Sequence, residues 1–274
     1  GCKFLGVMKA DAYGHGAVPL SHALVDLGAE YLAVSNLEEA VQIRRGGIRA
    51  PILILGYTPA MYAENMLYLD LTQEVHSLAY AKELNDALSG TNFILNVHLK
   101  LDTGMTRIGF TAYGDEAALS EMVAAAKLPH LHVEGAFMHF SVADSRAEED
   151  VAFTHLQYQR FEAALSYLQS AGIELEVRHC CNSGATLLYP EYAMDMVRPG
   201  IMTYGLCPSP DTAGILDLEP VLRLYTTVSQ IRTFPAGVDV SYGRTYTTKR
   251  EQRLAVLSIG YADGLLRSLS GKAA

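Results

Sequence analysis

Short apolar runs alternate with stretches of helical period along most of the chain. Runs at residues 4–8, 31–34, 52–55, 68–71, 93–99, 133–139, 175–178 and 194–197 read as eight strands. Between them, residues 19–27, 37–45, 77–88 and 150–170 carry apolar positions near helical spacing, as with Phe153, Leu156, Phe161, Leu165 and Leu168. Gly28, Gly46-Gly47 and Gly172 stand where helix C-caps are expected. Strands separated by helices imply parallel βαβ units, and eight of them predict closure into a (β/α)8 barrel of the TIM type. The pattern changes after a Pro-, Ser-, Asp-, Thr- and Gly-rich stretch at 208–214. From 218 to 259 no amphipathic helix is visible, and β-type runs at 221–228 and 254–259 flank Pro235-Ala236-Gly237. The expected organisation is a barrel over 1–212 and the start of a second, mostly β domain over 213–274. Gly1 and the stop at Gly271-Lys272-Ala273-Ala274 suggest that residues are missing on both sides.

Composition narrows the function classes. The 274 residues carry a net charge of -9, spread along the chain, which argues against nucleic acid or an anionic membrane as partner. No apolar run reaches the roughly 20 residues of a membrane span, so no membrane segment is expected in this chain. Cys2, Cys180, Cys181 and Cys207 form no CxxC pattern, and His15, His22, His76, His98, His130, His132 and His155 no HxxxH pattern. Neither a metal site nor a disulfide framework is expected, and the chain reads as cytoplasmic and reduced.

In a parallel barrel, chemistry gathers at the carboxyl ends of the strands. Polar residues are expected there in a ring: Lys9 after strand one, Lys100 and Arg107 after strand five, His139 at strand six, His179 to Ser183 after strand seven, and Arg198 to Ile201 after strand eight. An isolated lysine is ordinarily a surface charge. One drawn to a barrel mouth is partly desolvated, which favours the neutral amine that Schiff-base chemistry needs. Asn182-Ser183-Gly184 can cap a helix beginning near Ala185, bind phosphate, or do both, since the two roles use the same orphan amides.

Six segments in order, VMKADAYGHG, KLDTGMTRIGF, MHFSVAD, HCCNSGATL, VRPGIMTYGL and VSYGRTYT, closely resemble the alanine racemase family, over nearly the whole chain from Leu5 to Arg267. The resemblance implies pyridoxal 5'-phosphate as cofactor, and L- and D-alanine, with serine as an alternative, as small amino-acid substrates. It also implies a homodimer with active sites shared between subunits and a role in supplying D-alanine for cell-wall peptidoglycan. Position by position, it makes Lys9 the lysine that carries the cofactor and serves one face of Cα. Tyr242 becomes the tyrosine serving the other face from the partner subunit. Arg198 is matched to the pyridine nitrogen, Arg107 to the phenolic oxygen, and Lys100 to a lysine often carbamylated to orient that arginine. Tyr13, Ser183, Gly200 and Ile201 match phosphate contacts, with Asn182 beside them. His139 and His179 resemble histidines linking the catalytic tyrosine to the arginine, and Tyr261, in IGYADG, one lining the substrate entry.

The chemistry is consistent with those assignments. Racemisation removes a proton from one side of Cα and returns one to the other, so two acid/base groups must face each other. An arginine holds its proton and would keep the pyridine nitrogen unprotonated, weakening the electron sink and suppressing side reactions. A carboxylate there, as in a barrel-type decarboxylase, would do the reverse. The remaining alternatives are a serine racemase on this scaffold, which these residues leave open, and a non-catalytic carrier barrel; Tyr242 and the second domain count against the carrier alone.

Overall fold

In a computed structural model, which describes residues 1–272, the chain forms two compact units, Gly1–Val221 and Leu222–Ala274. The first unit is a nearly closed barrel. Its parallel strands β1 (Lys3–Val7), β2 (Tyr31–Val34), β3 (Ile52–Ile54), β4 (Leu71–Val75), β5 (Leu95–Asp102), β7 (Leu131–Phe137), β8 (Val177–His179) and β9 (Met196–Val197) are joined in the order β8-β7-β5-β4-β3-β2-β1-β9. A short strand, β6 (Phe110–Thr111), pairs with the end of β5. The ring is completed between β8 and β9 by single bonds: the Asp195 amide donates to the Arg178 carbonyl (3.1 Å). A paired Arg178–Asp195 ion contact at 2.7 Å reinforces the join.

Helices follow the strands. They are α1 (Lys9–Gly14), a single turn discussed below, α2 (Ala17–Asp26), α3 (Leu37–Arg45), α4 (Ala63–Tyr68), α5 (Leu78–Ala87), α6 (Glu116–Ala126), α7 (Glu148–Ser170) and α8 (Ser183–Leu188). Asn36, Ser77, Asp115 and Asn182 cap α3, α5, α6 and α8 by accepting a first-turn amide. Gly28, Gly47 and Gly172 take positive φ just past α2, α3 and α7, where a side chain would be strained.

Strand alternation divides the buried residues in two. Leu32, Val34, Ile52 and Ile54 point outward into the large core beneath the helices. Leu5, Val7, Tyr31, Ala33, Leu53, Val177 and Met196 form a second, smaller cluster in the lumen. The strand register places Thr72, Glu74, His98, Lys100, Phe137 and His179 on that same inward face. The lumen is therefore apolar along β9-β1-β2-β3, while its polar side chains come from β4, β5 and the end of β8, with the apolar Phe137 and Val177 set among them.

That polar half explains the main departures from the sequence reading. The expected strand at 68–71 is displaced: Tyr68 ends α4, Asp70 turns the chain at φ 51°, and β4 begins at Leu71. Buried Thr72, Gln73 and Glu74 hid this strand from an apolar pattern. The strand expected at 93–99 starts and ends later, so Lys100 lies within β5 rather than after it, while Phe93 and Ile94 are exposed.

The second unit pairs β10 (Val228–Phe234) with β13 (Gln252–Leu257) and β11 (Asp239–Val240) with β12 (Tyr246–Thr247), both antiparallel. The run at 221–228 is not a strand, because regular pairing begins only at Val228. No helix among the described residues is long and apolar enough to cross a membrane.

Candidate active site

A cavity of about 620 Å³ opens among residues from the carboxyl ends of the strands, lined by Lys9, Tyr13, Lys100, Arg107, His139, Asn182, Ser183, Arg198, Gly200 and Ile201. Every candidate that the sequence placed in the barrel lines it except His179, which is fully buried behind it.

Lys9 follows β1 at the start of a left-handed turn. Ala10, Asp11, Ala12 and Tyr13 all have φ between 52° and 55°, a conformation costing roughly 1–2 kcal/mol per residue for L-amino acids. Neighbouring bonds hold it. The Glu39 carboxylate accepts from the Ala10 and Ser35 amides, each at 2.7 Å, and Asp11 accepts from the Ala17 amide at 2.7 Å. Tyr204 O–H donates to the Val7 carbonyl (2.5 Å), and its ring packs on Tyr13 and His15. Burial, then Arg107, lowers the Lys9 pKa, with Glu39 acting weakly the other way. Neutral amine is thus more accessible at Lys9 than on an ordinary lysine.

The rest of the cavity wall is crowded with nitrogen. Lys100 is buried, donates among the described residues only to the Leu101 carbonyl (3.3 Å), and has its pKa pushed down to about 7 by burial, Arg198 and Arg107. Arg198 is buried and donates to the Met138 and Cys180 carbonyls (2.6 and 3.2 Å) and to His179 Nδ1 (2.8 Å). Its contact with His139 Nδ1, at 3.5 Å, is at the outer limit of a hydrogen bond. Burial and the surrounding cations hold both histidines well below the ordinary imidazole pKa, so both rings are neutral. The Phe137 ring lies under both cations, 5.1 Å from Lys100 Nζ and 5.3 Å from the Arg198 guanidinium. Arg107 sits on an exposed loop whose turn is set by Asp102 accepting the Gly104 and Thr106 amides.

The other wall suits a phosphate. Ser183 Oγ accepts from the Gly200 and Met202 amides (2.8 and 3.3 Å), which leaves the hydroxyl proton free to donate outward. The Gly200 amide is thus engaged with Ser183. That of Ile201 finds no acceptor among the described residues. A Cβ on Gly200 would stand 2.8 Å from the Tyr13 hydroxyl, and one on Gly184 2.7 Å from the Asp144 side chain. These glycines keep open a cradle that side chains would fill. Asn182 spends its carboxamide on the Ala185 amide and the Phe140 carbonyl, so capping is its observed role. With a hydroxyl pair and a free amide on one wall, and a depressed lysine and buried arginine on the other, the donor set fits a phosphorylated pyridine aldehyde.

Tyr242 and Tyr261 lie in the second unit. Tyr242 occupies a turn between β11 and β12, clipped by Arg244 donating to Asp239, and its side chain is 94% exposed; Tyr261 is 78% exposed. Sequence reasoning missed Glu39, Phe137, Tyr204 and His98. Apolar or isolated in the chain, they acquire meaning only from lumen register and the left-handed turn.

Comparison with known families gives the same answer for both units. Residues 1–208 match the alanine racemase N-terminal domain and 221–274 its C-terminal domain. The alanine racemase of Desulfovibrio desulfuricans is 46% identical over 273 residues, 100% of this chain and 72% of the relative. That of Clostridium tetani is 42% identical, over 99% of this chain and 69% of the relative. Among solved structures, alanine racemase from Clostridium difficile 630 superposes with a TM-score of 0.88 at 38% identity, covering 97% of this chain and 69% of that one. The Bacillus anthracis alanine racemase with bound L-Ala-P does so with a TM-score of 0.88 at 35% identity, covering 99% and 69%. On domain matches, identity and coverage together, the chain belongs to the alanine racemase family.

Proposed function

We propose that the chain interconverts L- and D-alanine with pyridoxal phosphate held at Lys9, using Lys9 and Tyr242 as the two acid/base groups. The observation that carries this reading is the convergence of a half-buried lysine of lowered pKa, a buried arginine and a phosphate-fitting wall in one cavity. When bound, pyridoxal phosphate supplies the electron-withdrawing ring that acidifies the Cα–H of an attached amino acid.

The side chains do the rest. Tyr13, Ser183 and the Ile201 amide would hold the phosphate, with Gly200 and Gly184 keeping their approach clear. Arg198 would donate to the ring nitrogen and, with its pKa lowered only to about 10, keep its own proton at neutral pH. Lys9 exchanges a proton on one face of Cα. Tyr242, reaching in from the partner subunit of a homodimer, exchanges one on the other. Lys100, a buried amine whose lowered pKa leaves a substantial neutral fraction at neutral pH, lies near two arginines and is suited to carbamylation, which would turn an electrostatic conflict into an attraction for Arg107. The unit boundary at Val221 and the family match from 221 support a barrel followed by a second, mostly β domain.

The direct test incubates cofactor-loaded protein with L-alanine and separates the enantiomers. D-alanine should accumulate to near equality. No D-alanine, or faster turnover of L-serine than of L-alanine, would contradict the proposal.

A further inference from the structure

Behind the cavity, a row of hydrogen bonds crosses the lumen from its mouth toward the amino ends of the strands. Arg198 has only donors, so its NH1 gives a proton to His179 Nδ1 at 2.8 Å. The neutral His179 ring then carries its single proton on Nε2, which faces His98 Nδ1 at 2.8 Å. His98 in turn carries its proton on Nε2, 3.3 Å from Glu134 Oε2. Tyr31, at the first position of β2, donates to the other carboxylate oxygen at 2.6 Å. Hydrogen bonds from His98 and Tyr31 outweigh burial and hold Glu134 ionised, its pKa pushed down to about 2. The row is donor-only at one end and acceptor-only at the other, so a single arrangement of its protons satisfies every member.

The backbone makes room for it. The β5–β7 register slips between Val97 and His98. Opposite the slip, Gly135 lies where a Cβ would stand 2.9 Å from His98 Cε1 and 2.5 Å from the Val177 carbonyl. A side chain at 135 would expel the ring, so the strand pair is shaped around His98. His98 and His179 are fully buried and Glu134 is largely so, which makes an unmatched proton here costly.

We propose that Glu134, acting through His98, is a positioning residue that fixes the tautomer of His179 and with it the orientation of the Arg198 guanidinium. Were His179 protonated on Nδ1 instead, it would meet Arg198 donor to donor, and the guanidinium would have to turn from its present bonds. The lock is a property of the barrel alone. Its consequence for turnover rests on the reading of Arg198 given above.

The test is nitrogen NMR of ¹⁵N-histidine-labelled protein, cofactor-free and cofactor-loaded, at neutral pH, with the two rings assigned by His98→Asn and His179→Asn. In the unsubstituted protein both rings should be protonated on Nε2. Glu134→Leu should give mixed tautomers at both and lower kcat roughly tenfold with little change in KM, as loss of an orienting partner does. Glu134→Gln, which keeps an acceptor oxygen, should restore the tautomers and most of the rate. An Nδ1-protonated ring in the unsubstituted protein, or unchanged tautomers in Glu134→Leu, would overturn the proposal. Altered tautomers with an unaltered rate would uphold the lock and contradict the role given to Arg198.

Discussion

A lysine must be neutral before it can take a proton, and a tyrosine must hold its phenol proton before it can give one. Lys9 meets the first condition through burial and Arg107. Tyr242 stands exposed in the turn between β11 and β12. If, as proposed, the two residues serve different faces, Tyr242→Phe should slow solvent-deuterium exchange into one alanine enantiomer by roughly a hundredfold or more, and into the other much less. Equal losses from both would count against the two-sided assignment. Lys100 makes a separate prediction. With ¹³C-bicarbonate, the protein should show a carbamate carbon signal that Lys100→Met abolishes. A signal surviving that substitution, or none in the parent, would show that the buried amine stays unmodified.

Among the elements, the left-handed turn after β1 aims the site and is the least expected from sequence. Four consecutive residues outside the usual backbone regions persist because Glu39, Asp11 and Tyr204 each supply a bond that a right-handed helix would not make there. Glu39→Ala removes the acceptor of two amides. It should lower stability by about 1–2 kcal/mol in urea unfolding and weaken cofactor binding in a fluorescence titration. Unchanged values in both would mean that the turn holds itself. The segment VMKADAYGHG was legible as chemistry but not as shape, because handedness here is imposed from α2, α3 and Tyr204. Strand β4 was illegible for a related reason: Thr72 and Glu74 belong to a polar lumen, and an apolar pattern is blind to a strand whose inner face is polar. By contrast β1, β2 and β3, buried on both faces, could be read directly as apolar runs.

At the scale of the whole molecule, the barrel brings residues from both ends of the first unit's sequence to one mouth. Lys9, Arg107 and Arg198 are far apart in the chain yet line one cavity. Their convergence was legible because strand-end polar residues in a parallel barrel must share a rim. The His98–Glu134–Tyr31 row was not, because it depends on a register slip and a glycine opposite it. Tyr242 belongs to the second unit, and its proposed place is in a neighbouring copy's site. That arrangement can be tested by purifying a doubly tagged heterodimer of one Lys9→Ala subunit and one Tyr242→Phe subunit. One of its two sites would then carry both substitutions and the other neither, so the heterodimer should regain about half the activity of the unsubstituted dimer, while each parent homodimer stays near zero. A heterodimer no more active than its parents would contradict a site built from Lys9 of one subunit and Tyr242 of the other.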